Sequence, residues 1–373
     1  MSALFQPITL RELTLPNRIV VSPMCQYSAV NGCASDWHVI HLGHLALSGA
    51  GLLIIEATGV EPAGRISPGC LGLYSDETEA ALARVLEVVR RHSAIPIGIQ
   101  LGHAGRKAST RAAWEVGGTR GRTLGMDEGG WATVAPSAIP FGADWPAPAA
   151  LDGRSMDRIV AAFAQATERC ARLGLDLIEL HSAHGYLMSA FLSPLANRRN
   201  DEFGGDIVGR MRFPLRIVEA VRAAWPATRP LGVRFNGTDW ADGGITPEEA
   251  VTFAQALARL GCDYADVSSG GNAAVSIPLS PGYQVPLAER IRRESGLTTM
   301  AVGLIRDPLH AEQIVASGQA DLIALGRAML NDPRWPWHAA ETLGAKVSVP
   351  PPYWRGATTA GVPHFDMRPS PSA

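Results

Sequence analysis

Eight short apolar segments recur along this chain of 373 residues, and most are followed by a segment with helical spacing. Strands that are apolar throughout, rather than at alternate positions, are typical of a parallel sheet covered on both faces. Eight strands alternating with helices most simply close into an α/β fold, the (β/α)8 TIM barrel. The predicted strands, in chain order, are Ile19–Val21, Leu52–Glu56, Ile95–Leu101, Leu175–His181, Leu231–Phe235, Tyr264–Ser268, Leu297–Val302 and Asp321–Leu325.

A doubly wound open sheet is the alternative fold, and the sequence after the first predicted strand disfavours it. Such a sheet usually has a glycine-rich turn there, whereas this chain has Ser22-Pro23-Met24-Cys25. Two segments interrupt the alternation. Residues 104–150 form a long insertion after the third strand, predicted to cap the barrel mouth. Residues 346–373 form a proline-rich tail, so residues 1–345 are predicted to be a single barrel domain.

Composition excludes several classes of protein. Charged residues make up 18% of the chain and the net charge is −2, which disfavours a disordered protein, a nucleic-acid binder and a membrane-surface binder. The five cysteines are scattered and never form a CxxC pair. Free thiols fit a reducing cytoplasm, and the sequence shows neither a signal peptide nor an apolar run long enough to span a bilayer. We therefore expect a cytoplasmic protein.

Polar residues follow the predicted strands, where a barrel places its active site. His181 and His184 could hold a metal ion, which would require a third protein ligand. Glu179 is expected on the opposite face of the strand, so no carboxylate is expected to join the pair. The alternative is that both histidines donate hydrogen bonds to one substrate oxygen. Tyr186 would then be the proton donor.

A second group of strand-end residues points to a phosphate-bearing, anionic cofactor. Gly303 and Gly326 follow the last two strands, where backbone N–H groups can approach a phosphate, and Arg327 adds a charged donor. Arg234 lies within an apolar strand and requires an anionic partner. A flavin, which gains negative charge on reduction, provides one. Gln100 and Ala57 suit hydrogen bonds to the edge of its ring.

Taken together, these segments resemble the old yellow enzyme family of FMN-dependent ene-reductases, and in particular its bacterial subclass of xenobiotic and thermophilic-like ene-reductases. The resemblance extends from Leu4 to about Gly356. Four segments carry it: Asn17–Tyr27, Gln100–Lys107, His181–Leu187 and Phe191–Arg199.

The resemblance implies a role for each matching position. Bound FMN would contact Ser22, Pro23, Met24, Cys25, Ala57, Gln100 and Arg234, with its phosphate on Gly303, Gly326 and Arg327. The catalytic group would be Tyr186, His181, His184, Cys25 and Tyr27. The substrate would contact Tyr27, His181, His184, Tyr186 and, from the tail of a neighbouring subunit, Arg355.

The implied activity is reduction of the activated C=C bonds of enones and nitro compounds by ping-pong hydride transfer through FMN. NADPH is the preferred donor, with NADH as the second. The implied assembly is a homodimer or a tetramer of dimers. Three other functions stay open: a dienoyl reductase, a barrel that only stores FMN, and a metal-dependent hydrolase or lyase that uses His181 and His184.

Overall fold

Eight parallel strands form a closed barrel in the computed structural model, which describes residues 1–117, 122–358 and 365–366. The strands are β1 (Ile19–Val21), β2 (Leu52–Gly59), β3 (Ile97–Gly102), β4 (Leu177–Ser182), β5 (Leu231–Asn236), β6 (Tyr264–Ser268), β7 (Thr298–Ala301) and β8 (Leu322–Leu325). Each strand pairs with its neighbour in the sequence, and the pairing of β8 with β1 closes the barrel. The predicted fold class and all eight strands are confirmed.

Helices surround the barrel in the described residues. They are α1 (Asp36–Ala46), α2 (Asp76–Arg90), α3 (Gly153–Arg172), α4 (Leu187–Leu192), α5 (Ile207–Arg210), α6 (Arg212–Ala224), α7 (Pro247–Arg259), α8 (Val285–Ser295), α9 (Pro308–Ala316), α10 (Arg327–Asn331), α11 (Trp335–Thr342) and α12 (Arg355–Thr358). Helix α7 shows why they begin where they do. Thr246 Oγ1 accepts from the Glu249 amide, and Pro247 occupies the first turn, where no amide partner is needed.

The N-terminal end of the barrel is closed by an antiparallel hairpin, Ile8–Leu10 with Leu13–Leu15. Leu10 and Leu15 of the hairpin pack against buried apolar side chains of the barrel strands, such as Val20, Leu52 and Leu322. Each buried side chain of this size contributes about 2 kcal/mol of hydrophobic stabilisation. Because this end is filled with apolar side chains, a polar site has room only at the opposite, C-terminal end.

Strand β2 contains an irregularity that the sequence pattern did not predict. Its pairing with β3 shifts register between Ile55 and Thr58. A β-bulge of this kind leaves residues unpaired and changes where the following side chains point. The irregularity spans Glu56 and Ala57, at the barrel mouth.

The described residues of the insertion and of the tail form short elements of their own. The insertion forms short 3-10 turns and a strand pair, Val134–Ala135 with Ala149–Ala150. In the tail, Val347–Ser348 pairs with Phe365–Asp366, and Val347 packs against Trp337 of α11. The boundary between barrel and tail stays a prediction. In the described part of the chain, no helix is both long and apolar enough to cross a bilayer.

Candidate active site

A cavity of about 280 Å³ opens at the C-terminal end of the barrel. Its lining includes eight residues that the sequence analysis selected: Ser22, Pro23, Met24, His184, Arg234, Gly303, Gly326 and Arg327. These residues come from β5 or from the segments that follow β1, β4, β7 and β8. The closed fold therefore brings together side chains that lie 305 residues apart at the extremes.

One wall of the cavity is suited to a phosphate group. Gly303 has a φ of +122°, and a Cβ at this position would lie 2.9 Å from Gln284 Nε2. Only glycine therefore leaves the backbone here both unstrained and accessible. Arg327 and Arg306 both line this cavity, so two guanidinium groups are available to an anion.

Arg306, Tyr283 and Gln284 line the cavity but were missed in the sequence analysis. Gln284 is held in place, because its Nε2 donates to Val302 O at 3.0 Å and its Oε1 accepts from Ser269 Oγ at 2.6 Å. The sequence could have indicated Arg306, because this residue directly precedes the helix start at Asp307-Pro308 and follows a strand that ends at the barrel mouth. No comparable signal marked Tyr283 or Gln284.

His181, His184 and Tyr186 converge beside the cavity. The ring of His181 lies 5.1 Å from that of His184 and 4.8 Å from that of Tyr186, in edge-to-face arrangements. The backbone turns sharply between them, with φ of +61° at His184 and +76° at Gly185. Lys107 stabilises this turn, since its Nζ donates to His184 O at 2.6 Å and to Gly271 O at 3.1 Å.

Burial sets the protonation state of these three side chains. It lowers the pKa of both histidines well below the usual value, and the positive charges of Arg234 and Lys107 lower it further. Burial also raises the pKa of Tyr186 well above its usual value. At neutral pH the site therefore holds two uncharged imidazoles and a protonated phenol.

Cys25 and Tyr27 lie at the end of β1, near Tyr186. A hydrogen bond to the Cys70 thiol and burial both raise the pKa of Cys25, so its thiol stays protonated. Burial likewise raises the pKa of Tyr27. The ring of Tyr27 contacts Trp114 of the insertion edge-on at 5.4 Å. The role of the insertion as a cap stays a prediction.

The other selected residues lie in different places. Ala57 lines a smaller cleft together with His181 and Tyr186. Gln100 is buried in the barrel interior, where its Nε2 donates to Glu179 Oε1 at 2.8 Å. Arg355 is exposed at the start of α12 and lines neither the cavity nor the cleft. Its contact with a neighbouring subunit stays a prediction.

The expectation for Glu179 was wrong. Its carboxyl group points into the barrel interior, where it contacts Gln100 and Tyr264. The physical reason is that residues two apart on a strand share one face, so Glu179 and His181 both point inward. Even so, no three His, Cys, Asp or Glu side chains in the described residues lie close enough together to hold a metal ion.

Comparison with known proteins assigns this fold and site to a family. The model of the NADH:flavin oxidoreductase / NADH oxidase family matches residues 3–345. The chain belongs to this family. The NADPH dehydrogenase of Geobacillus thermodenitrificans is 43% identical over 357 residues, which are 95% of this chain and 98% of that enzyme. The NADPH dehydrogenase of Listeria innocua is 43% identical over 95% of this chain and 99% of its own length.

Solved structures lead to the same family. Morphinone reductase superposes with a TM-score of 0.77 at 28% identity, over 93% of this chain and 91% of the reductase. A second structure of morphinone reductase, solved with tetrahydroNAD, gives a TM-score of 0.75 at 27% identity, over 94% of this chain and 93% of the reductase. The resemblance to the old yellow enzymes is thereby confirmed, and the chain is a flavin oxidoreductase of that type.

Proposed function

We propose that this protein is an NAD(P)H-dependent ene-reductase that holds FMN and reduces activated C=C bonds of α,β-unsaturated carbonyl or nitro compounds. The observation that carries the proposal is the convergence of two uncharged histidines and a protonated tyrosine beside the cavity. We expect NADPH to be the preferred donor, and the names of the two similar NADPH dehydrogenases support NADPH as a donor.

The residues around the cavity suit the charge of FMN. Arg306, Arg327 and the backbone at Gly303 would hold the phosphate, and Arg234 would face the part of the ring that gains charge. Within the described residues, Ser22 Oγ is buried without a hydrogen-bond partner, which supports a polar ligand at this place. When bound, the flavin supplies a two-electron carrier between the reduced nicotinamide and the alkene.

Remaining FMN contacts come from the floor and sides of the site. Pro23, Met24 and Cys25 would lie against the ring, while Ala57, Gln100 and Gly326 would offer groups to its edge and tail. Cys25 would act as an uncharged neighbour of the ring, since its thiol keeps its proton.

The histidines would bind and polarise the activating oxygen of the substrate. His181 Nδ1 accepts from the Ala183 amide at 3.3 Å, so the ring proton sits on Nε2 and can be donated to the oxygen. Ser268 Oγ lies 2.6 Å from His184 Nε2. The Ser268 hydroxyl would donate to His184 Nε2 rather than to Gln284 Oε1, which lies farther away at 3.4 Å. The His184 proton would then lie on Nδ1, again as a donor. Two donors aimed at one oxygen stabilise the negative charge that develops on it.

Tyr186 would deliver the proton that completes the reduction. Its raised pKa keeps the phenol protonated across the physiological range, and its ring is held between His181 and the ammonium group of Lys107. Tyr27 and Trp114 would form the outer wall, which contacts the substrate and excludes water. Because donor and acceptor would use one mouth in turn, we expect ping-pong kinetics with parallel double-reciprocal lines.

The test is the visible spectrum of the purified protein under anaerobic conditions. A flavin spectrum that bleaches with NADPH and returns with cyclohexenone supports the proposal. A bound flavin that NADPH cannot bleach would instead indicate a protein that only stores FMN. A colourless protein that takes up no FMN would overturn the assignment, and metal analysis would then test the hydrolase or lyase that uses His181 and His184.

A further inference from the structure

Five polar side chains fill the barrel interior beneath the candidate active site, where barrels usually carry branched apolar residues. We call this group the interior polar cluster: Gln100, Glu179, Arg234, Tyr264 and Asp266. All five are buried, and Glu179, Tyr264 and Asp266 are 0% exposed. Burying two carboxyl groups is costly unless they are paired or neutral. The cluster therefore calls for a functional explanation.

Strand register brings the members of the cluster together. Gln100 of β3 is the pairing partner of Glu179 of β4, and its Nε2 donates to Glu179 Oε1 at 2.8 Å. The Tyr264 hydroxyl lies 3.4 Å from Glu179 Oε2. With one N–H directed at Glu179, the Gln100 amide cannot flip without losing this bond. Its oxygen and second N–H form no other hydrogen bond within the described residues.

A second carboxyl group stands behind the arginine of the cluster. Asp266 of β6 is the pairing partner of Arg234 of β5, and Asp266 Oδ2 lies 3.3 Å from Arg234 Nε. The two residues proposed to meet the edge of the flavin ring, Gln100 and Arg234, are thus each backed by one buried acid.

The cluster contains one guanidinium and two carboxyl groups, so its net charge depends on one proton. Burial and the nearby charge of Asp266 raise the pKa of Glu179 to about 8, and Arg234, Gln100 and Tyr264 oppose this rise. Burial raises the pKa of Asp266 too, against the lowering effect of Arg234. Below pH 8 a protonated Glu179 leaves Arg234 and Asp266 as a neutral pair. Above pH 8 the cluster becomes negative.

We propose that Glu179 is a positioning residue that fixes the amide of Gln100 toward the flavin ring and, as the second buried acid beside a single guanidinium, sets the charge of the floor of the site. The inference rests on the proposed placement of FMN over Gln100 and Arg234. It explains why an acid, rather than an apolar residue, stands at this position, because only a partner with an acceptor oxygen can hold the Gln100 N–H.

FMN affinity of the loaded protein tests the positioning role. Dilution of the holoenzyme releases FMN, whose fluorescence reports the dissociation constant. Glu179→Leu removes the acceptor for Gln100, so we expect binding about tenfold weaker. Glu179→Gln keeps an acceptor and should stay within about threefold of the wild type. Glu219→Gln, on the exposed surface of α6, is the matched control for loss of a carboxyl group.

The flavin potential tests the charge role. In the wild type we expect an additional fall of the midpoint potential above pH 8, because a negative floor opposes the charge that the flavin gains. In Glu179→Gln this additional fall should be absent, while Glu219→Gln should retain it. A wild-type curve without the additional fall, or one that Glu179→Gln retains, would overturn the charge role.

Gln100→Ala separates failure of this inference from failure of the proposed function. If Gln100→Ala weakens FMN binding and Glu179→Leu does not, FMN meets Gln100 as proposed but Glu179 does not position it, and the inference is wrong. If Gln100→Ala leaves FMN affinity unchanged, the proposed placement of the flavin is wrong, and the inference is overturned with it.

Discussion

Replacement of Gly303 by alanine should damage both stability and cofactor binding. The φ of +122° is poorly tolerated by any residue with a side chain, at a cost of about 1–3 kcal/mol. The new Cβ would also lie 2.9 Å from Gln284 Nε2 and 3.0 Å from the Tyr283 ring. Gln284 cannot easily move, because Val302 O and Ser269 Oγ hold its amide. Overpacking of this kind adds about 1–3 kcal/mol.

Gly296→Ala is the matched control for this experiment. Gly296 ends α8 with a φ of +75°, and no atom lies within 4 Å of a Cβ placed there. The Gly296→Ala variant should therefore lose only about 1–2 kcal/mol of unfolding free energy, the cost of a left-handed backbone at alanine. Denaturant unfolding of the two variants gives the stability difference, which we expect to be about 1–3 kcal/mol.

FMN binding gives the second measurement on the same pair. Gly303→Ala places a methyl group at the phosphate wall and leaves less space for FMN. We therefore expect the FMN dissociation constant to rise more than about tenfold, a loss of about 1.4 kcal/mol of binding free energy. Gly296→Ala lies outside the cavity lining and should bind FMN as the wild type does. Equal effects of the two substitutions on stability and on FMN affinity would refute the reasoning about Gly303 and the phosphate wall of the cavity.

Three further predictions concern protons and hydrogen bonds. Tyr186→Phe keeps the ring contact with His181 but removes the acid. Stopped-flow measurements should therefore show reoxidation of the flavin by cyclohexenone slowed about 100-fold, with flavin reduction by NADPH unchanged. Reoxidation within about threefold of the wild-type rate would contradict the role of Tyr186. Ser268→Ala removes the partner of His184 Nε2 and should lower kcat/KM for the enone about tenfold, with rescue by Ser268→Thr. Burial lowers the pKa of His41 to about 4, so the folded state binds fewer protons than the unfolded state and stability falls as the pH drops from 6.5 to 4. His41→Asn should remove on the order of 1–2 kcal/mol of this acid sensitivity in urea unfolding, whereas exposed His92→Asn should leave it unchanged.

Patterns that depend on local burial were readable from the sequence. Each predicted strand is present, with ends displaced by a few residues at most, because a buried parallel strand must be apolar along its whole length. The same reasoning located the polar strand ends, since the barrel places every strand's C-terminus at one mouth. Eight of the selected residues line one cavity as a result.

The family could also be recognised from the sequence, because four motifs occur in order at strand ends, and the family model spans residues 3–345. The motifs did not reveal what supports them. Lys107 stabilises the turn at His184 by donating to two backbone oxygens. These oxygens belong to residues 77 and 164 positions farther along the chain.

Only the tertiary structure determines the contacts between strands and loops that are distant in the sequence. Arg306 and Gln284 join the cavity through barrel closure, and Glu179 meets Gln100 because β3 and β4 pair in one particular register. A sequence indicates which positions of a segment are buried and with what spacing they recur. It does not report which side chains face each other across a closed barrel, because register and closure depend on the packing of all eight strands together.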